Sequence, residues 1–256
     1  MKYIITSLAL LISASFFAQQ RVNAEDILQD IKKGKTINIS NATIEGVLDL
    51  TYMDEALPKL PKRRNRWWNN GGSNTIEKEI VSKISFVNCT FKDDVLAYIP
   101  DEDSGYTFTA DFEDDAIFKD CTFERKAMFK YSDFDRNADF SGSKFLDDST
   151  FKYAKFYRDI SFKNTQFNEP ATFKYSEFNR FISFANAVFK ETATFKYTKF
   201  KDGVSFNSTQ FEEDLNIKYT EVDGEFDIKN MKVAYDIDSK YTDINGKSFN
   251  KYLLNR

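Results

Sequence analysis

The amino-acid sequence predicts an all-β fold, a solenoid of short strands wound into a four-sided coil. An apolar residue, in most cases Phe, recurs at alternating steps of six and five residues from Phe112 to Val233. A small or apolar residue stands two positions before each of these, and neither series contains a charge although 30% of the chain is charged. The dipeptide Lys-Tyr recurs every 22 residues, twice the period of eleven, so one coil holds four inward Phe positions.

The same spacing argues against a right-handed helical coiled coil, which can also have an eleven-residue repeat. At ~100° per residue, two Phe residues five positions apart lie on different sides of an α-helix and form no single seam. In a strand, residues two apart point to the same side, so each Phe and the small residue before it both face the interior. The residues between them are Thr, Tyr, Asn, Asp, Gly and Ser, which favour strands and turns.

The repeats carry a family resemblance. Residues 193–211, ATFKYTKFKDGVSFNSTQF, resemble the pentapeptide-repeat proteins, and the resemblance covers most of the chain after residue 36. In that family, a central Phe or Leu and a small residue two before it fill a right-handed quadrilateral β-helix, and alternating steps of five and six resemble a known variant. The resemblance implies this fold for residues 35–245. It implies little about function, because one fold hosts many functions.

The first 24 residues, MKYIITSLALLISASFFAQQRVNA, have the features of a secretory signal peptide. A Lys near the start precedes an apolar run of about sixteen residues, and small residues follow it. We expect cleavage after Ala18 or Ala24. The alternative is an uncleaved membrane anchor, although the run is short for a span. The protein is therefore predicted to be exported, to the periplasm, the cell envelope or the medium.

Both ends of the solenoid are predicted to carry a cap, because an open end exposes apolar surface and unpaired strand edges. At the N-terminal end, residues 25–34 are predicted to form a short amphipathic helix, with Asp26 as its N-cap and Gly34 at its end. At the C-terminal end, residues 246–256 are predicted to form the second cap, with a short helix over 247–254. The alternative for this end is a homodimer contact through its apolar residues.

Two insertions interrupt the repeat, at about 51–79 and 98–108. Alignment of the coils places both after the side that later carries Lys-Tyr, so we expect them to be neighbours one coil apart. The first contains a basic aromatic loop, and the second an acidic stretch, Asp101, Glu102 and Asp103. In one hypothesis the two pair electrostatically and the loop is structural. In the other, the loop binds a ligand by Trp stacking and Arg contacts to an anion. The candidate residues are Arg63, Arg64, Arg66, Trp67 and Trp68.

The 22-residue repeat also predicts rows of like residues on the outer surface. One row is a set of tyrosines, each preceded by Lys, at Tyr131, Tyr153, Tyr175, Tyr197 and Tyr219. A basic row holds Arg136, Arg158 and Arg180, and an acidic row holds Asp147, Glu169, Glu191 and Glu213. Such rows arise wherever a repeat is duplicated, so stacking and solvated charge are one interpretation. A binding strip along the tyrosines, with Tyr131, Tyr153, Tyr175 and Tyr197 as candidates, is the other.

Several kinds of chemistry are disfavoured by composition. The chain contains no His, which excludes His-based triads and His metal sites. Its two cysteines, Cys89 and Cys121, fall in the small inward series and are predicted to lie one coil apart. An export route permits a disulfide between them, and two unreactive interior thiols are the alternative. No calcium-loop spacing is present, and we expect neither a metal nor a cofactor.

The sequence therefore favours a non-enzymatic binding or scaffold module at the cell envelope. A protein, an anionic glycan or a membrane surface is the expected partner. A nucleic-acid partner is not expected, since the net charge is −4 and there is no basic tail. Two alternatives remain. Some pentapeptide-repeat proteins mimic DNA and bind gyrase, and the resemblance implies that possibility here. The other is an enzyme acting on envelope glycans through Asp101, Glu102 or Asp103.

Overall fold

The structure, a computed structural model, describes residues 20–61 and 74–253. The chain winds through four parallel β-sheets in a fixed order, so that each turn of the coil contributes one strand to each sheet. We number the sheets as faces 1 to 4 in the order in which the chain visits them from Ile37 onward. This is the right-handed quadrilateral β-helix that the repeat predicts. Within the described residues, no helix is long and apolar enough to cross a membrane.

The strands of each face pair in parallel with those of the coils above and below. Face 1 comprises Ile37–Ser40, Ile84–Val87, Ala116–Lys119, Ala138–Asp139, Ile160–Ser161, Ile182–Ser183, Val204–Ser205 and Phe226–Asp227. Face 2 comprises Gln20–Asn23, Ala42–Glu45, Thr90–Phe91, Thr122–Phe123, Lys144–Phe145, Gln166–Phe167, Val188–Phe189, Gln210–Phe211 and Lys232–Val233. Face 3 comprises Leu48–Asp49, Val95–Leu96, Ala127–Met128, Ser149–Thr150, Ala171–Thr172, Ala193–Thr194, Leu215–Asn216 and Ile237–Asp238. Face 4 comprises Thr75–Ile80, Tyr106–Phe112, Asp133–Phe134, Lys155–Phe156, Glu177–Phe178, Lys199–Phe200, Glu221–Val222 and Asp243–Ile244.

The interior of the coil is filled by stacked Phe rings. On face 3, Phe151 and Phe173 have ring centroids 5.1 Å apart and planes 3° apart, and Phe173 and Phe195 follow at 5.0 Å and 4°. Across the lumen, neighbouring stacks meet edge to face, as Phe162 and Phe173 do at 84°. All of these rings are fully buried. Offset stacks and edge-to-face pairs are the arrangements that aromatic quadrupoles favour.

The inward Ser and Thr residues have a role beyond filling space. Ser176 Oγ donates a hydrogen bond to the carbonyl of Phe151 at 2.6 Å, and Thr198 Oγ1 donates to that of Phe173 at 2.7 Å. Thr220 repeats the bond one coil later. The acceptor lies 25 residues earlier each time, so the hydroxyl ties one coil to the previous one. Because buried polar groups are costly without a partner, these bonds let small polar residues occupy the lumen.

The N-terminal cap is a helix, α1, that spans Ala24–Lys32 and buries Ile27, Leu28 and Ile31 on the end of the coil. The expectation that Asp26 caps it is wrong. Asn23 is the N-cap, and its side chain accepts a hydrogen bond from the backbone N–H of Glu25. The helix starts earlier than expected because the preceding strand, Gln20–Asn23, pairs with Ala42–Glu45 and delivers the chain directly into it.

Both insertions leave the coil between faces 3 and 4 and return as extended strands of face 4. After face 3, the first forms a short helix, α2, at Met53–Ala56 and a 3₁₀ turn at Leu57–Lys59. The second forms a hairpin, in which Tyr98–Asp101 pairs antiparallel with Tyr106–Phe112. The returning strands pair with one another, with Phe112 opposite Ile80. Tyr106 also donates a hydrogen bond to the carbonyl of Pro61 at 3.1 Å, which ties the two insertions together.

The C-terminal segment differs from the single helix expected over 247–254. Strand Lys247–Ser248 turns back antiparallel to Asp243–Ile244, and in the described part of this segment the helix, α3, covers Asn250–Leu253. Phe249 is buried, and its ring lies 6.1 Å from that of Phe226. These contacts cover the last coil from within the chain.

Replacing Phe173 with Ala should lower the free energy of unfolding by about 3–5 kcal/mol, because a ring in contact with two stacked neighbours leaves a cavity. The control is Phe181, whose side chain is 39% exposed and lies outside the lumen. Phe181→Ala should change stability by less than ~0.5 kcal/mol. Urea unfolding followed by circular dichroism compares the two. Equal effects would contradict the inward stack.

Candidate functional site

The sequence-predicted site residues divide into two groups. Arg63, Arg64, Arg66, Trp67 and Trp68 lie outside the described residues, so the structure describes nothing of the basic aromatic loop. The four tyrosines lie together on the corner between faces 3 and 4. There they belong to a longer row, which we call the tyrosine ladder. It consists of Tyr131, Tyr153, Tyr175, Tyr197, Tyr219 and Tyr241.

Every tyrosine of the ladder adopts a left-handed backbone conformation. The φ angles run from 57° at Tyr219 to 66° at Tyr131. The other left-handed corner, between faces 1 and 2, uses Asn41, Asn164 and Asn186 for the same turn. Asn tolerates this conformation, whereas a bulky residue there is an outlier. The corner therefore does not require Tyr for its turn, and the aromatic side chain must be explained by its contacts or its exposure.

The ladder rings stack almost in parallel along the coil axis. Tyr153 and Tyr175 have centroids 4.7 Å apart and planes 3° apart, and Tyr175 and Tyr197 follow at 4.8 Å and 2°. The faces of the interior rings are thus covered by their neighbours, and their edges and hydroxyls remain available. Among the described residues, the hydroxyls of Tyr153, Tyr175 and Tyr197 have no hydrogen-bond partner. Only the ends of the ladder present an open ring face, as at Tyr241, which is 62% exposed.

A row of lysines, the lysine row, runs beside the ladder on the face 3 side. Each Lys lies one position before a ladder tyrosine, and its ammonium is 5.0 Å from the ring centroid for Lys174 and 5.1 Å for Lys152. The lysine row consists of Lys130, Lys152, Lys174, Lys196, Lys218 and Lys240. Partial burial, with the charges of Lys130 and Lys174, lowers the pKa of Lys152. The lysines thus form a row of closely spaced like charges beside the rings.

On the face 4 side, the ladder borders an open groove of about 470 Å³. One wall consists of Tyr131 to Tyr197. The other consists of the outward residues of face 4, in which charges of opposite sign alternate along the coil axis. This charged row consists of Asp133, Lys155, Glu177 and Lys199. Lys155 pairs with Asp133 at 3.3 Å, and Lys199 pairs with Glu221 at 3.5 Å.

The groove ends in an acidic cluster that sequence reasoning missed. Asp111 lies half-buried beside Glu77 and Asp133, and its carboxylate accepts the backbone N–H of Asp133 at 2.9 Å. Burial, with the neighbouring carboxylates, raises the pKa of Asp111 to about 6. The only sequence signal for this was an Asp in the outward position before Phe112, one coil above Asp133. Within the described residues, no group of three or more Cys, Asp or Glu is placed to hold a metal ion.

The two cysteines are free, buried thiols on neighbouring coils. Cys121 Sγ donates to the carbonyl of Phe86 at 3.4 Å, and Cys89 Sγ donates to that of Val87 at 3.5 Å. The contact with Cys89, together with burial, raises the pKa of the Cys121 thiol. The two sulfurs are unbonded in the structure, and the raised pKa of Cys121 favours its protonated, less reactive form.

The remaining candidates lie apart from the groove. Asp101, Glu102 and Asp103 form the turn of the second insertion, where the Asp101 carboxylate accepts the backbone N–H of Ser104. Arg136, Arg158 and Arg180 are exposed on the corner between faces 4 and 1. The acidic row lies on the corner between faces 2 and 3, at the opposite edge of face 3 from the lysine row.

Comparison with known proteins identifies the repeat. The family model described as pentapeptide repeats (9 copies) matches residues 108–155 and 151–199. These are the coils that carry the ladder from Tyr131 to Tyr197. No curated protein and no solved structure matches the chain.

The left-handed corner can be tested by replacing Tyr175 with Asn or with Val. Both substitutions remove the stacked ring, but Asn accepts the left-handed conformation and β-branched Val does not. Tyr175→Val should therefore be about 1–2 kcal/mol less stable than Tyr175→Asn in urea unfolding. Equal stabilities would contradict the left-handed backbone at this corner.

The raised pKa of Asp111 predicts a pH dependence of stability. The folded state holds this proton more tightly than the unfolded state, so the Asp111 contribution becomes more favourable to folding as the pH falls from above 6 towards about 4. Asp111→Asn removes that contribution and keeps an oxygen to accept the Asp133 N–H. The free energy of unfolding of the variant, minus that of the wild type, should thus be larger at about pH 7.5 than at about pH 4.5. If this difference in unfolding free energy does not change with pH, the raised pKa of Asp111 is wrong.

Proposed function

This chain belongs to the pentapeptide-repeat family, and we propose that it is a non-enzymatic binding or scaffold module, exported to the cell envelope, whose partner surface is the tyrosine ladder. The observation that carries the proposal is the left-handed backbone of the ladder tyrosines. Six successive coils place an aromatic residue at this corner, whereas the equivalent corner has short residues: Asp120, Gly142, Asn164, Asn186, Ser208 and Asn230. Stacking along the row offsets the cost of this conformation, and the row leaves a continuous edge of phenol rings and hydroxyls that a partner can contact.

The ladder geometry limits the kind of contact. A sugar ring cannot stack on the interior tyrosines, because each of their faces is covered by a neighbouring ring less than 5 Å away. What the ladder offers is a row of phenol edges and hydroxyls at the coil spacing of about 4.8 Å. These groups donate and accept hydrogen bonds, and they suit a partner that lies in the groove along the coil axis.

The charges beside the groove favour a protein partner. Asp133, Lys155, Glu177 and Lys199 alternate in sign along the wall opposite the ladder. An anionic glycan or an anionic membrane surface carries one sign of charge and would meet a carboxylate at every second position. A polypeptide segment with mixed charges can match both signs. Complementary charges of this kind contribute mainly to partner selection.

The proposal is tested by capture of partners from the cell envelope with and without the ladder. In the test variant, Tyr153, Tyr175 and Tyr197 are each replaced with Asn, which keeps the left-handed corner. Tyr235→Asn is the control, because Tyr235 is 69% exposed and lies outside the ladder. We expect a protein that crosslinks to the wild type and to the control but not to the ladder variant.

A further variant separates the ladder from the basic aromatic loop. It replaces Arg64, Trp67 and Trp68 with Ala and leaves the ladder intact. Loss of the partner with this variant alone would assign binding to the loop and overturn the assignment to the ladder. A capture profile that is identical for all variants would likewise refute a binding role for the ladder.

A further inference from the structure

Face 3 has an arrangement of charge that the other faces lack. Its strands lie between two rows of opposite sign, the lysine row on the corner with face 4 and the acidic row on the corner with face 2. Four successive coils contribute one member to each row. The coil-matched pairs are Asp147 with Lys152, Glu169 with Lys174, Glu191 with Lys196, and Glu213 with Lys218.

These charges are almost entirely unpaired within the chain. Among the described residues, no member of the acidic row has a cation within 4.0 Å, and in the lysine row only Lys218 has a carboxylate at that range, Asp238 at 3.8 Å. Elsewhere on the coil, opposite charges do pair, as Lys155 and Asp133 do on face 4. Four parallel coils thus carry one unneutralised row of each sign, about 16 Å apart at the extended spacing of about 3.3 Å per residue.

The centre of face 3 carries no charge over the same coils. Its outward residues are Thr150, Thr172, Thr194 and Asn216, and Thr150 is buried while the others are half-buried. Parallel strands in register make this a flat strip of short side chains between two charged edges. An uncharged centre with a charged rim is the common composition of a protein–protein interface.

We propose that face 3 binds a second copy of this chain, side by side and with the two coil axes parallel. The twofold axis runs along the coil between the two faces. It places the acidic row of each copy against the lysine row of the other. The uncharged centre of face 3 in one copy then lies against the same centre in the other. Each coil then meets the same coil of its partner, so Glu169 of one copy faces Lys174 of the other, and Lys174 of the first faces Glu169 of the second.

The charges select the parallel arrangement over the antiparallel one. A twofold axis across the face would run the two coils in opposite directions and place lysine row on lysine row. That arrangement brings like charges together at both edges and is repulsive. The coil spacing is the same in the two copies, so one matched pair brings all the others into register.

The other uncharged strip on the coil does not have this property. Face 1 also presents short polar residues, Ser161, Ser183 and Ser205. Its flanking corners carry Arg158 and Arg180 on one side and Lys163 on the other. The positions equivalent to Lys163 are Ala185 and Asn207, so no acidic row faces the arginines and a second copy would find no complementary edge. On face 3 itself, the self-complementary region ends at the coil that contains Arg125 and Lys130, because both edges of that coil are basic.

The size of the matched region sets the expected strength. Four coils at about 4.8 Å give a strip ~19 Å long and ~16 Å wide, which is below the area of a standard stable interface. We therefore expect a weak dimer that forms at high protein concentration and dissociates with salt, since exposed charge pairs are screened.

The test is sedimentation of the exported form over a range of protein and salt concentrations, with charge-reversal variants. One variant carries Lys174→Glu and Lys196→Glu, and the other carries Glu169→Lys and Glu191→Lys. Each should weaken self-association at least tenfold, because each introduces four like-charge contacts in the symmetric dimer. A mixture of the two variants should associate again. A chain with all four substitutions should also form dimers, because swapping both rows restores their complementarity.

The control is Arg158→Glu with Arg180→Glu, which changes net charge by the same amount as the lysine variant and lies away from face 3. It should dimerise like the wild type. A wild type that stays monomeric at low salt, or a four-substitution chain that fails to associate, would overturn the proposal. Retention of a monomeric wild type on a sulfated dextran, lost with the lysine variant, would also overturn it and assign the lysine row to a polyanion.

The direction of the two coils is tested by crosslinking. In the parallel arrangement Asn216→Cys, at a half-buried outward position of face 3, lies opposite its own counterpart, so a short bismaleimide should link two copies of this single variant. In an antiparallel arrangement the residue would lie opposite another coil. A variant that dimerises in sedimentation but does not crosslink would therefore contradict the parallel register.

Discussion

The stacking of identical rings from coil to coil is the constraint on which the rest of this structure depends. Four stacks of Phe fill the lumen with centroids about 5 Å apart, which matches the spacing of parallel strands. A ring shifted out of register would leave a void at its own position in the lumen and would clash with the ring at the next position. The 22-residue period is therefore kept over the regular coils, and every outward position is placed directly above its equivalent in the preceding coil.

The tyrosine corner shows how this constraint extends to the surface. A residue with a Cβ loses about 1–2 kcal/mol in the left-handed conformation. An interior ladder tyrosine such as Tyr175 stacks on two neighbours, and each aromatic contact contributes about 0.5–1.5 kcal/mol. The two effects are of similar size, so a continuous row of tyrosines is tolerated where a single one would not be. The ladder is thus stable only as a set, and it leaves a long aromatic edge on the surface.

The period allowed the sequence to predict the lumen, the four sides and the side from which both insertions leave. What it did not predict depends on contacts that do not repeat. Asn23, rather than Asp26, caps the first helix because a strand before it pairs with the coil. The return of the first insertion as Thr75–Ile80 depends on pairing with the second. The raised pKa of Asp111 depends on burial at the one place where that hairpin meets the ladder.

Repetition also determines where this surface can bind. Where successive coils alternate in charge, as along Asp133, Lys155, Glu177 and Lys199, neighbouring coils neutralise one another and little unpaired charge remains. Where they repeat the same charge, as along Glu169 and Glu191 or Lys174 and Lys196, repulsion along the row can be relieved only by opposite charges from outside it. Such a row matches a partner that has the same spacing, and a second copy of the coil has that spacing by construction. Uniform rows on a solenoid therefore favour self-association, whereas the alternating wall beside the ladder favours a different protein.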